Sequence, residues 1–230
     1  SSITIAIVDT GIDLNHPDLA TKIVAGYDFV YYDSVAQDDQ GHGTHCAGIA
    51  AAISNNSRGV AGVNWQAKLM PLKVLDSTGS GFDSDVASAI VWAVDHGATV
   101  VSLSLGGTDQ SQTLVDAIEY AYSHDVVVVA AAGNEYQSGN PTVYPAAYDH
   151  VIGVAATGPY DEHASYSNTG YYVDIAAPGG NTGGSILSTY WKDGASGYAF
   201  MQGTSMATPH VAGLAALIQS LDATLTADEV

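Results

Sequence analysis

Apolar positions along the chain follow two alternating patterns. Short unbroken runs recur at "ITIAIVD" (3–9), "AKLMPLKVL" (67–75), "ATVVSLSL" (98–105), "DVVVVAAAG" (125–133), "HVIGVAA" (150–156) and "VDIAAPG" (173–179). Several show no in-out alternation, which is how strands buried on both faces read. Between them lie stretches with helical spacing. In "DSDVASAIVWAVDHG" (83–97) Val86, Ile90, Ala93 and Val94 keep to one stripe, and Gly97 supplies a stop. In "SQTLVDAIEYAYSHD" (111–125) Leu114, Ile118 and Tyr122 repeat it. Strands alternating with helices predict an α/β fold, a mostly parallel central sheet with helices on both faces. Such sheets bind ligands beyond the carboxyl ends of their strands.

With 230 residues, 47% of them hydrophobic, the chain can bury one sizeable core, and a single domain over 1–230 is the simplest reading. Its ends are abrupt. It begins almost on a core strand and closes on "TLTADEV", where Thr226 and Glu229 have the spacing that opens a helix, so a domain shortened at both ends is expected. Five Lys and Arg against 24 Asp and Glu give a formal charge of −19. Nucleic acid and anionic membranes are therefore excluded as natural partners. A single cysteine excludes an internal disulfide, and no apolar run has membrane-spanning length.

The candidate chemistry sits where strands end. Asp9 closes the first apolar run and is followed by a turn, "TGID". D-T-G is also the aspartic-protease triplet, but that chemistry needs a second carboxylate, and no second D-T-G or D-S-G occurs. "GHGTHCAGIAAAI" (41–53) offers His42, His45 and Cys46 at the start of a small-residue helix. Zinc needs further ligands, and the other histidines (16, 96, 124, 150, 163, 210) form no zinc pattern; His45 reads as a core histidine. "AAAGNE" (130–135) closes a strand on Gly133 and Asn134, whose side-chain amide can reach into a crevice. In "GTSMATPHVAG" (203–213) a serine precedes a helix carrying Pro209, which places Ser205 at or just before the helix start. Amide hydrolysis requires a nucleophile, a base, an acid that orients the base, and donors for the oxyanion. Ser205, His42, Asp9 and Asn134 supply all of them.

These segments resemble the subtilisin-like serine proteases, in particular the thermitase-like and proteinase K-like members. "IAIVDTGIDLNHPDL", "GHGTHCAGI" and "GTSMATPHVAG" stand in the family order Asp, His, Ser. The resemblance implies a secreted, monomeric serine endopeptidase acting through an acyl-enzyme, with Asn134 and the Ser205 amide holding the oxyanion. It implies that an extended peptide binds between Gly79, Ser80, Gly81 on one edge and Ser104, Leu105, Gly106 on the other. Ala131, Ala132 and Gly133 are expected to wall the pocket before the scissile bond and Val143 to floor it, favouring apolar or aromatic residues. Proteinaceous inhibitors or a propeptide are the further partners implied. Calcium is the implied cofactor. One site is expected at Asp18 with Ile53, Asn56, Arg58 and Val60, although the family's N-terminal ligand is absent; a second is expected at Asp28, Asp33, Val35 and Gln37, with Tyr31 where a carboxylate is usual. A reading from a different class is a domain of this family kept as an inactive binding or scaffolding module.

Overall fold

A computed structural model describes residues 3–230. In chain order it contains β1 (Thr4–Asp9), β2 (Tyr27–Asp28), α1 (His42–Ala51), β3 (Lys68–Lys73), α2 (Asp83–Asp95), β4 (Val100–Leu103), α3 (Gln112–Tyr122) and β5 (Val127–Ala131). β6 (Val151–Thr157), β7 (Ile175–Pro178), β8 (Ile186–Lys192), β9 (Ala195–Met201) and α4 (Thr204–Leu221) follow. Seven strands form one sheet in the order β2-β3-β1-β4-β5-β6-β7. Every neighbouring pair in it is parallel.

The unbroken apolar runs have the cause expected of them. All residues of β1, β4 and β5 are buried, because helices cover both faces of the sheet. Ile5 and Ile7 point into a core shared with Cys46 and Ala47 of α1 and Met206 and Val211 of α4. Ala6 and Val8, on the opposite side of the same strand, pack with Val86 and Ile90 of α2 and Leu114 and Ile118 of α3. This is the α/β sandwich of subtilisin-like proteases.

Strand order reverses at β1, which has β3 on one side and β4 on the other. A crevice therefore opens beyond the carboxyl ends of β1 and β4. Asp9 is the last residue of β1, Ser104 follows β4 directly, and Ala132, Gly133 and Asn134 follow β5.

The sequence pattern misses the two-residue β2 and a hairpin. β8 and β9 form an antiparallel hairpin outside the main sheet, turned at Asp193 and Gly194, which have φ of 51° and 84°. It packs on α1, where Ser188 Oγ donates to the His45 carbonyl (2.7 Å) and Thr189 Oγ1 to that of Thr44 (2.7 Å). At the other end, Thr226 and Glu229 make the anticipated contact, the Thr226 amide donating to Glu229 Oε2 at 3.0 Å, within a turn.

Candidate active site

The carboxylate of Asp9 is wholly buried, and its two oxygens lie 2.8 and 2.9 Å from His42 Nδ1. Nδ1 therefore carries the proton and donates it, leaving Nε2 as an acceptor. The backbone amide of Thr10 also donates to Asp9 Oδ1 at 2.7 Å. Burial, the largest single influence, disfavours a charged His42, but the Asp9 carboxylate together with the neighbouring Cys46 raises the imidazole pKa well above its ordinary value. Cys46, one turn along α1, brings Sγ to 4.0 Å from His42 Nδ1. Burial pushes its thiol pKa up, so it stays neutral and is no rival nucleophile. Asp9, His42 and Cys46 are the one trio of His, Cys, Asp or Glu side chains among the described residues whose candidate ligand atoms all lie within 4.8 Å of one another. His45 is a core histidine, fully buried, with Nε2 3.0 Å from the Ala199 carbonyl and its pKa lowered to about 4 by burial.

Ser205 is the second residue of α4 and is half-buried. Its hydroxyl donates to the Ser104 carbonyl at 3.3 Å and makes no hydrogen bond to His42 among the described residues. The backbone around it is tied unusually. In a regular helix the Ser205 carbonyl would accept from the amide of residue 209, but Pro209 has none. That carbonyl accepts instead from Ser104 Oγ (2.9 Å) and Cys46 Sγ (3.4 Å). Ser205 is thereby fastened to the end of β4 and to α1.

Asn134 is exposed, and its Oδ1 accepts from the Thr204 amide (2.9 Å) and the Thr204 hydroxyl (3.1 Å). With its oxygen held, the side-chain NH2 remains available as a donor beside the α4 N-terminus, where developing negative charge is favoured. The turn that carries it needs glycine. Gly133 has φ of 105°, and a Cβ there would meet Asn168 Nδ2 at 2.5 Å and Glu135 Oε2 at 2.7 Å.

Two cavities meet at the site. One of about 350 Å³ is lined by Ala131, Gly133, Asn134, Val143 and Ser205, together with Ser104, Leu105 and Gly106. A larger one, about 590 Å³, takes Gly79, Ser80 and Gly81 on one side and the same 104–106 segment on the other, with His42 between. Ala132, expected as a pocket wall, instead faces the core with α2 and α3, because successive side chains at a strand end alternate. Glu135, which the sequence reading omits, lines the smaller cavity and accepts the Asn134 amide at 2.7 Å. Its place directly after Asn134 was the available signal.

The two candidate metal loops differ. Asp18 is fully buried and forms no ion pair among the described residues, and oxygen-bearing loops of this kind are the ligand type a hard cation takes. The 53–60 loop wraps it, the Ile53 amide donating to the Asp18 carbonyl (2.8 Å) and Asn56 Nδ2 to Oδ1 (2.7 Å). Tyr198 Oη donates to Oδ2 at 2.7 Å. Arg58 is exposed, and Val60 directs its amide to Oδ2 at 3.4 Å. In the second loop, Asp28 and Asp33 exchange backbone hydrogen bonds of 2.8 and 3.2 Å. Burial raises the Asp28 pKa. The Gln37 side chain is spent on the Leu14 amide and the Asp38 carbonyl, and Asp33 and Val35 are exposed, so this loop fits a cation less well.

A buried carboxylate orienting a histidine, beside a serine at a helix start and over the switch point of a parallel sheet, defines an α/β serine hydrolase. The family model described as the subtilase family matches residues 1–230, and the chain belongs to that family; it is a subtilisin-like serine endopeptidase. It is 52% identical over 221 residues to thermitase of Thermoactinomyces vulgaris, covering 96% of this chain and 76% of that protein. It is 49% identical over 217 residues to the thermophilic serine proteinase of Bacillus sp. (strain AK1), covering 94% of this chain and 52% of that protein. Among solved structures, a protease from Pseudoalteromonas arctica superposes with a TM-score of 0.91 at 37% identity, covering 100% of this chain and 80% of the other. A cold adapted subtilisin-like serine proteinase gives 0.86 at 35% identity, covering 99% and 78%.

Proposed function

We propose that this endopeptidase cleaves peptide bonds through a triad of Asp9, His42 and Ser205, with Asn134 and the Ser205 amide stabilising the oxyanion. The observation that carries the reading is the double contact of Asp9 with His42 Nδ1, which leaves Nε2 free to act as base. Ser205 Oγ turns from the Ser104 carbonyl toward Nε2 and attacks the substrate carbonyl as its proton passes to the ring. The imidazolium, held by Asp9, then gives that proton to the leaving amine. Water repeats the sequence on the acyl-enzyme and restores the hydroxyl.

Substrate lies extended between the 79–81 and 104–106 edges. The residue before the scissile bond enters the cavity over Val143, which favours apolar or aromatic side chains. Glu135 on its wall adds an acidic contact, so specificity is broad. Protein and peptide substrates, proteinaceous inhibitors or a propeptide are the partners this cleft suits, and the enzyme acts as a secreted monomer. Among the described residues no helix is long and apolar enough to cross a membrane. Calcium would be held by Asp18, Asn56 and the carbonyls of Ile53, Arg58 and Val60, where it braces the loop and takes no part in the chemistry. The second loop, Asp28, Asp33, Val35 and Gln37, is proposed only as a weaker site.

The deciding experiment combines hydrolysis of casein or a succinyl-peptide with a serine-directed fluorophosphonate. Labelling of Ser205 with loss of hydrolysis is expected. Folded protein that neither labels nor hydrolyses would overturn the reading.

A further inference from the structure

The first turn of α1 has an unusual set of caps. The residue at its start, Gly41, has no side chain to satisfy the free amides of the turn. Each amide is met from elsewhere: His42 by Gln40 Oε1 (2.9 Å), Gly43 by Thr10 Oγ1 (2.9 Å) and Thr44 by Asp38 Oδ2 (3.0 Å). Asp38 is wholly buried. Its Oδ1 accepts from the Gln40 amide (2.9 Å), the Gly41 amide (2.8 Å) and the Thr10 hydroxyl (2.9 Å), and its Oδ2 also accepts from Thr44 Oγ1 (2.5 Å). A buried carboxylate so fully supplied with donors has no acceptor capacity left for chemistry.

Thr10 stands at the centre of this arrangement. Its amide donates to Asp9 Oδ1, its hydroxyl donates to Asp38, and the same hydroxyl accepts the amide of Gly43, the neighbour of His42. Its hydroxyl therefore bridges the strand end that carries Asp9 and the turn that carries His42, and Asp38, bonded to Thr10 and to the Gly41 and Thr44 amides, closes the same bridge from the loop. The approach is close enough that a Cβ on Gly43 would strike the Gly11 carbonyl. Lys73 clamps the same corner from β3, its buried ammonium donating to the Thr10 carbonyl (2.9 Å), the Leu75 carbonyl (2.8 Å) and Asp39 (2.7 Å).

We infer that the Thr10 hydroxyl, braced by Asp38, is a positioning device that sets the alignment of Asp9 against His42. The Thr10 side chain is fully buried, and its hydroxyl bonds to Asp38 and the Gly43 amide, not to Asp9 or the His42 ring. The inference rests on the triad reading above and concerns what holds two of its members in register. A misplacement of about 1 Å at a base costs on the order of 100-fold in rate, so loss of this hydroxyl should be felt in turnover.

The test compares Thr10→Val, Thr10→Ala and Thr10→Ser, with folding checked by circular dichroism. Removal of the hydroxyl should lower kcat by about 10- to 100-fold with KM within about twofold. The acid limb of the pH-rate profile should also move down. The ionisable groups around the ring are Asp9 from β1, Cys46 and His45 from α1, Asp38 and Asp39 from the loop before α1, and Lys73 beyond Thr10 from β3. Asp9 is the carboxylate hydrogen-bonded to the ring, so loosening it lowers the His42 pKa and with it the limb. Thr10→Ser should restore both values, since the hydroxyl returns.

A folded Thr10→Val or Thr10→Ala enzyme with the parent kcat and acid limb would overturn the inference. So would loss of folding in both with Thr10→Ser folded, which would assign the hydroxyl to stability alone. Absence of fluorophosphonate labelling in the parent enzyme would instead sink the triad reading.

Discussion

The two halves of the site are built differently. On the Asp9–His42 side the polar groups that hold the ring are spoken for: the Asp9 carboxylate is buried on Nδ1 and the Thr10 amide, and the helix turn below it is capped through Thr10 and Asp38. On the Ser205–Asn134 side the backbone is held but the working groups are loose. The Ser205 hydroxyl rests on a carbonyl at 3.3 Å, and Asn134 is exposed with its side-chain oxygen, not its NH2, held by Thr204. On the proposed mechanism the base would be set before substrate arrives, whereas the nucleophile and oxyanion donor would complete their geometry with it. This division has a physical reason. An imidazole must be held in one tautomer at all times, while a hydroxyl needs only one rotation, and an oxyanion donor has no partner until charge develops.

Breaking each half should give distinct signatures. The largest loss is expected from Ser205→Ala, about a millionfold in kcat with fluorophosphonate labelling abolished; subtilisin itself supplies that magnitude. Asp9→Asn should cost on the order of 10⁴-fold, as the comparable change does in a trypsin-like enzyme, while Ser205 stays in place. A smaller effect of Asp9→Asn than of Asn134→Leu would contradict the ordered half and loose half described here.

Asn134→Leu should lower kcat by about 100- to 1,000-fold with little change in KM, again the magnitude known for subtilisin. Steady-state kinetics on a chromogenic peptide check it; a loss confined to KM would make Asn134 a binding residue. The pH profile sharpens the contrast further. His42 must be neutral to accept a proton, and Asp9 holds its pKa above the ordinary value, so activity should be lost as pH falls through a midpoint above about 6.5. In Asp9→Asn the residual activity should titrate at lower pH, because burial alone then acts on the ring. An unmoved limb would show that the carboxylate does not set it.

The smallest effect on rate is expected from calcium removal. A chelator should shorten the thermal half-life, through opening of the Asp18 loop and self-digestion, with the initial rate preserved. Unchanged half-life, with no calcium in the untreated protein by elemental analysis, would dispose of both loops.

Much of the molecule was legible beforehand. Six of the seven sheet strands stand out as apolar runs, because burial on both faces leaves no polar positions to interrupt them. β2, the seventh, spans two residues and carries no periodicity. The hairpin of β8 and β9 went unread although Asp193–Gly194 is a hairpin turn signal; its strands are half-exposed and pack on α1 instead of joining the main sheet. At the site, Asp9, His42, Asn134 and Ser205 end or follow strands or begin helices, which is why local context singles them out as candidates. Asp38 is not singled out, since the Thr10 hydroxyl that reveals its role lies 28 residues away. Ala132 was misjudged for a different reason: three alanines in a row hide which of them faces the crevice.

Pro209 has a mechanical consequence for the nucleophile. Because the Ser205 carbonyl is released from the ladder of its own helix and taken up by Ser104 and Cys46, the first turn of α4 moves with the sheet and with α1. The remaining turns, whose Leu214, Leu217 and Leu221 face outward, are joined to it across a missing rung. Ser205 is thus moored like a post with two extra stays, one running to the end of β4 and one to α1, in addition to the helix that carries it.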